Sequence, residues 1–353
     1  MAYLLKLTEH TWGLSDLANR SDDWTNAKLE EQYQNGDFQT NLDDWNVQRD
    51  FAKFAMESLD ETDEKESELK SEFKSILDRS PPTYPNLVNF QKTADRTFDC
   101  GGHSLTFNPT GSVTIDQDLT LGEFTYDALG EDVYNMTEFV CDQVFGGKAG
   151  SKDYEGGETI RSSAVMGELY KAEGCDFWVT DITIEGVGAP KSSAMRFDFT
   201  QDGISTVTFN AYNKTRTRFN EAGWLTFIGA SGDKVWSMTK LGHKVGMDES
   251  VPGGSAVTHS VDSVMYGDAA VITSLDAPVM SPINKQLANK PTVLLNDQQV
   301  KVEASDITGA GFNLWNNAWS TNYMFFYPFN DEGDENISYE FVVELSEKEA
   351  KRQ

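Results

Sequence analysis

Apolar positions change their spacing once along this chain of 353 residues, and the change divides it in two. From Asp43 to Leu59, the apolar residues Val47, Phe51, Phe54, Ala55 and Leu59 recur at steps of three and four, which lines one face of a helix. The acidic run DETDEKESELK then suits a solvated helix surface or a turn between helices. Leu69, Phe73, Ile76 and Leu77 resume the helical spacing. Ser80-Pro81-Pro82 ends it, because proline cannot continue a helix and biases its predecessor toward extended geometry. Trp24 and Trp45 are expected to pack these helices together.

After Pro85 the period falls to two. HSLTFNPTGSVTI alternates around Asn108-Pro109-Thr110-Gly111, and MRFDFTQDGISTVTFNAYN alternates around Asp202-Gly203; both predict hairpins. Further strands are expected at Phe177–Ile184, Gly223–Ile228, Ala270–Leu275, Val300–Ala304, Tyr323–Phe329 and Ile337–Leu345. The polar, glycine-rich GGKAGSKDYEGGETIRSSA reads as a surface loop. Many antiparallel strands with Gly and Pro turns, and almost no helix between them, predict a β-sandwich. The fold class is therefore α+β, mainly β: a helical segment over 1–82, then a large antiparallel sandwich over 83–353. Without alternating strands and helices, a Rossmann or TIM-type domain is not expected.

Charge narrows the function. The chain holds 57 acids against 29 bases, a formal net charge of −28 at pH 7. Such a surface repels phosphate backbones, and no basic cluster relieves it, so nucleic acid is not an expected partner. No apolar run is long enough to span a bilayer, and MAYLLKLTEH lacks the pattern of a secretory signal, so a cytoplasmic location and no membrane partner are expected. Cys100, Cys141 and Cys175 lie far apart with no CxxC pair, so free thiols in a reducing compartment are expected. Sequons at Asn135, Asn213 and Asn336 occur at the frequency that chance allows.

Candidate chemistry is sparse. The four histidines, His10, His103, His243 and His259, share no spacing that suits a metal. His103 opens a strand, His243 is expected in a loop after Leu241-Gly242, and His259, in the alternating segment Val257 to Val261, is expected to line a strand face. NDEGDENIS gathers oxygen ligands, but its spacing does not fit an EF-hand, and a solvated turn is expected there. GFNLWNNAWSTNYMFFYPF has two readings. Its asparagines fix tight turns, or they face a sugar, since amides donate and accept while indoles stack on sugar rings.

Five segments taken in order carry a resemblance: EHTWG at 9–13, NKTRTRFNEAGWLTF at 213–227, WSMTKLG at 236–242, SLDAP at 274–278 and NLWNNAWSTNYMFFYP at 313–328. Together they resemble the C-terminal half of the family called domain of unknown function 5054, which is similar to glycoside hydrolase family 38, the α-mannosidases. The resemblance implies a parent with a catalytic β/α-barrel, a bundle-like helical middle domain and a β super-sandwich, of which this chain has the last two. It implies a zinc ion held by a His-x-Asp pair, a nucleophilic aspartate and a later histidine. His10 matches that last ligand, although Thr11 stands where mannosidases carry an aspartate. It implies substrate contacts at Trp12, Arg218, Glu221, Asn316, Asn317, Trp319 and Asn322, and no catalytic residue in this chain. Two positions depart from the pattern: Phe219-Asn220 replaces Leu-Pro, and Ser320 replaces a glycine.

LTEHTWGLSD, at Leu7–Asp16, therefore reads as the middle of a longer protein. The expected function is the rear portion of a zinc-dependent glycosidase-like protein, inactive alone, whose partner is a separately encoded N-terminal catalytic half and whose ligand is a carbohydrate. The alternative is a stand-alone carbohydrate-binding or structural β-sandwich.

Overall fold

The computed structural model describes residues 26–36, 39–128, 159–215, 217, 221–230, 232–248, 258–285, 289–291, 303–316 and 335–346. Among the described residues three helices come first: α1 (Asn26–Asn35), α2 (Gln39–Glu57) and α3 (Glu64–Leu77). Gly36 ends α1 in a left-handed conformation, φ 85°, which glycine adopts without a Cβ clash. Asp63 caps α3, its Oδ1 accepting from the N–H groups of Lys65 and Glu66, and Glu64 and Glu66 suit the positive end of the helix. DETDEKESELK thus holds both a turn and a solvated helix start. The helical spacing is borne out, but its apolar face is only partly covered. Ala55 is buried, whereas Val47, Phe54, Leu69 and Ile76 are exposed. Trp24 and the Trp45 side chain lie outside the described residues.

The strands begin with β1 (Gln91–Thr93), β2 (Thr97–Cys100), β3 (His103–Phe107), β4 (Val113–Ile115) and β5 (Leu119–Ala128). Next come β6 (Ile160–Ser163), β7 (Glu168–Lys171), β8 (Asp176–Ile182), β9 (Ser192–Gln201) and β10 (Ile204–Tyr212). Then follow β11 (Glu221–Gly229), β12 (Trp236–Lys240), β13 (His243–Gly246), β14 (His259–Ser260) and β15 (Ser263–Tyr266). The last are β16 (Ala270–Ser274), β17 (Val279–Asn284), β18 (Ile307–Asn316) and β19 (Ile337–Leu345).

They form two antiparallel sheets. One has ten strands in the order β1-β7-β8-β9-β10-β19-β16-β15-β12-β13. The other has nine, β14-β17-β18-β11-β5-β4-β3-β2, with β6 beside the far half of β5. Their inner faces share one core. Phe124 of β5 meets Phe209 of β10 at 4.5 Å, Phe107 of β3 meets Phe177 of β8 at 5.0 Å, and Phe312 of β18 meets Phe341 of β19 at 5.2 Å. The long central strands supply alternate side chains to that layer, which is why period two dominates the sequence.

Both predicted hairpins form. At the first, Asn108 Nδ2 bonds Ser112 Oγ and Thr114 Oγ1, each at 2.9 Å, and Gly111 takes φ 86°. At the second, Gly203 takes φ 70°. The strands expected around 177–184, 223–228, 270–275 and 337–345 are present. Two expectations need correction. Ala304 belongs to a short 3-10 turn, Ala304–Asp306, with the strand starting only at Ile307; residues 300–302 lie outside the described residues. The glycine-rich loop segment ends in strand β6, where Arg161 stands opposite Asp127. The Tyr323–Phe329 strand lies outside the described residues.

The expectation of free thiols is overturned. Cys100, at the end of β2, and Cys175, just before β8, form a disulfide that joins the two sheets across 75 residues of sequence. The two cysteines are far apart in sequence, and only the stacking of the sheets brings them together. Disulfides persist in oxidising surroundings, so the cysteines no longer argue for a reducing compartment. Cys141 lies outside the described residues. No helix among them is long and apolar enough to cross a membrane.

Candidate functional site

The resemblance segments 213–227 and 313–328 lie about a hundred residues apart, yet their described parts form neighbouring strands. β11 pairs with β18 with Ala222 opposite Asn316 and Gly223 opposite Trp315. On its other side β11 pairs with β5, with Glu221 opposite Ala128. The start of β11 and the ends of β5 and β18 therefore meet at one end of the sandwich, together with the start of β6.

On the inner face at this end a polar group is sealed into the core. Glu221 and Lys214 are each fully buried, and Lys214 Nζ donates to Glu221 Oε1 at 2.5 Å. Tyr126 Oη donates to Glu221 Oε2 at 2.6 Å and accepts from the Gly188 N–H at 3.0 Å. Lys214 Nζ also donates to the Thr215 carbonyl at 3.1 Å and stands 5.7 Å from the centre of the Trp315 ring. Burial pushes the Glu221 carboxyl up, and the Lys214 ammonium and the Tyr126 hydroxyl work against that shift. Gly188 has to be glycine: a Cβ there would come within 2.2 Å of Glu221 Oε2. This cluster fastens the crossover after β10 to the start of β11, and both of its carboxylate oxygens are engaged within the protein.

On the opposite face lies a second polar group. Trp224 Nε1 donates to Asp127 Oδ2 at 3.2 Å, and Arg161 Nε stands 3.9 Å from Asp127 Oδ1. Asp127 is buried, and burial pushes its carboxyl up against the pull of Arg161 and Lys290. Asn313 Nδ2 donates to the carbonyls of Gly223 and Trp315, and Asn316 Nδ2 donates to Asn313 Oδ1 at 2.5 Å. Asn316 is half-buried at the strand end. The asparagines thus make the local backbone bonds of the first reading, while Asn316 stays partly open, as the second requires.

Of the expected site residues, the structure brings Glu221 and Asn316 to one sandwich end. His10, Trp12, Arg218, Asn317, Trp319 and Asn322 lie outside the described residues. Sequence reasoning missed Lys214, Tyr126, Asp127 and Trp224. Lys214 and Trp224 lie inside the quoted segment 213–227. Tyr126 and Asp127 carry no local signal, because their partners are 95 and 97 residues away.

At the other end of the sandwich a cleft of about 590 Å³ opens between the sheet rims. His103, Asp116, Asp118, Lys234 and Asp268 line it above an apolar floor of Ile115, Leu119 and Leu345. His103 Nδ1 lies 2.7 Å from Asp116 Oδ2, and Tyr266 Oη donates to Asp118 Oδ1 at 2.8 Å while Lys234 pairs with the same carboxylate. Asp116 and Gln117 take φ 54° and 59°, the conformation a tight hairpin turn demands. His243, expected in a loop, is the first residue of β13, and His259 sits buried on β14 as expected, its ring pushed down by burial and then by Lys240. Among the described residues no group of three or more His, Cys, Asp or Glu is arranged to hold a metal ion.

Fold and site together define a mainly β, two-sheet antiparallel sandwich with a helical segment ahead of it. The chain matches no protein-family model, and no curated protein is significantly similar to it.

Proposed function

We propose that this chain is the rear, carbohydrate-facing portion of a zinc-dependent glycoside-hydrolase-like protein, inactive by itself and active only together with an N-terminal catalytic half. One observation carries the reading: two of its resemblance segments, distant in sequence, run side by side as β11 and β18 and bring Glu221 and Asn316 to the same strand ends. Arg161 and Asn316, both partly exposed, present a guanidinium and an amide at this end, held by the buried Asp127 and Asn313 beneath them. Amides and guanidinium groups hydrogen-bond sugar hydroxyls. The buried Lys214–Glu221 pair serves this platform as a strut, because a fully buried carboxylate with both oxygens engaged does not meet a ligand. In this reading zinc is held mainly by the other half, with His10 as one ligand, and no chemical step in this chain runs through it.

Co-expression with a family N-terminal half tests the proposal. The complex is expected to hold one zinc and to hydrolyse an aryl mannoside, and His10→Ala is expected to lose the metal. Unchanged zinc affinity in His10→Ala removes the ligand assignment, and turnover by the lone chain removes the reading altogether.

A second reading, a stand-alone carbohydrate-binding or structural sandwich, is favoured by the core itself, which closes between two sheets of this one chain. Calorimetry of the isolated chain with mannosides and other glycans separates the two. Heat with a glycan and no effect of the second half supports the stand-alone module.

A further inference from the structure

The segment WSMTKLG has no role in the carbohydrate reading, yet it carries Leu241, the most exposed large apolar side chain among the described residues. It forms β12 and the turn into β13, the last strand of the ten-stranded sheet. Leu241 and Gly242 make a two-residue turn closed by Lys240 opposite His243, with φ of 50° and 77°. Glycine takes that conformation at ease, whereas leucine is strained there by its Cβ. Leu241 gains no packing in return, being 91% exposed. The tip is nonetheless held in place: the Gly242 N–H donates to Asp262 Oδ2 at 2.7 Å, and the Asp262 N–H donates to the Thr239 carbonyl at 2.8 Å. His243 and Lys244, both exposed, follow the leucine in sequence, and Lys240, whose Nζ lies 3.4 Å from His259 Nδ1, precedes it, a basic rim on a molecule of net charge −28. The acids nearest in sequence to this rim are Asp233, Asp248 and Glu249, and Asp262, packed against the turn, is already engaged by it.

The helices present the complement. Leu69, Phe73 and Ile76 lie on one stripe of α3, with Leu69 42% and Ile76 61% exposed. Glu66 and Glu72 flank the stripe, and residues 57–72 hold eight acids against two lysines. An apolar knob with a basic rim and an apolar stripe with an acidic rim occur on one chain. We propose that the β12–β13 tip of one copy docks on the α3 stripe of a second copy, joining chains head to tail. Such a contact uses two different surfaces, so it builds rings or open chains rather than a two-fold dimer. An anionic bilayer fits less well. Its charge extends as a plane and opposes the whole acidic face, whereas a protein stripe meets only the tip. The proposal is independent of the carbohydrate reading.

Sedimentation velocity of the full chain, from about 1 µM to about 100 µM at low salt, tests it. The mean mass is expected to rise above that of one chain at the upper concentrations. Leu241→Asp is expected to abolish the rise while melting no earlier than the parent, since aspartate tolerates the left-handed turn better than leucine. That keeps lost association distinct from failed folding. Lys244→Glu is expected to weaken association at least tenfold, and adding Glu72→Lys is expected to restore it. A single-chain mass throughout overturns the proposal, as does association that Leu241→Asp leaves intact or a Lys244→Glu loss that Glu72→Lys does not repair. Binding to phosphatidylserine vesicles that the tip variants abolish, without self-association, assigns the tip to a bilayer and overturns it equally.

Discussion

At Glu221 a carboxylate has been taken wholly out of water, and the molecule tolerates it because two donors converge on it. Lys214 and Tyr126 occupy its two oxygens, and Lys214 shares its remaining protons with a backbone carbonyl. A buried pair of this kind adds little net stability compared with apolar packing, but removing one member strands the other. Lys214→Met is therefore expected to cost about 3–5 kcal/mol of folding free energy in urea unfolding. The loss should depend on pH. Without the ammonium, burial is opposed by the Tyr126 hydroxyl and no longer by Lys214, and it holds the Glu221 folded pKa above the ordinary 4.5. The unfolded carboxyl then ionises first, so the variant's stability should fall as pH rises from about 4.5 through the folded value, and recover in acid. A loss that is flat from acid to neutral pH would show that the ammonium does not act through this carboxylate. Nothing in the sequence marked the pair. Glu221 was expected as a substrate contact because its segment resembles one, while Lys214 drew no notice, since lysine is the residue least often found buried.

Among the elements, hairpins were the most legible. Asn108-Pro109-Thr110-Gly111 and Asp202-Gly203 announce turns through local chemistry, and strands flanking them follow by alternation. Strand β6 was hidden because Thr159–Ser163 is mostly polar and follows glycines; it forms by pairing with β5 across the ladder, which its own composition does not announce. The disulfide was equally out of reach, since spacing in sequence does not say which sheet rims will face each other. Its closure of 75 residues is expected to contribute about 4 kcal/mol by restricting the unfolded chain. Reduction with dithiothreitol should lower the urea midpoint by a matching amount, and Cys100→Ser/Cys175→Ser should unfold at the reduced midpoint with no further response to reductant. Identical midpoints with and without reductant would mean that the bond does not form in solution.

Over the whole molecule, charge opposes compaction. With 57 acids and 29 bases, like charges crowd the folded surface more than they do an expanded chain. Salt screens that repulsion, so the melting temperature is expected to climb between about 50 mM and about 500 mM sodium chloride. A fall over that range would instead show that ion pairs such as Arg196–Asp176, at 2.7 Å, dominate over the net charge.

The sequence by itself determined the division into helices and then strands, the positions of the tight turns and the acidic surface. These depend on neighbours along the chain: the period of apolar residues, the conformational limits of glycine and proline, and the sum of charges. Only the tertiary structure decided which strands lie side by side, that Cys100 meets Cys175, that Lys214 reaches Glu221 under Tyr126, and that Leu241 stands in solvent. Those outcomes rest on contacts between residues far apart in sequence, chosen by how two whole sheets pack, and no local pattern encodes them.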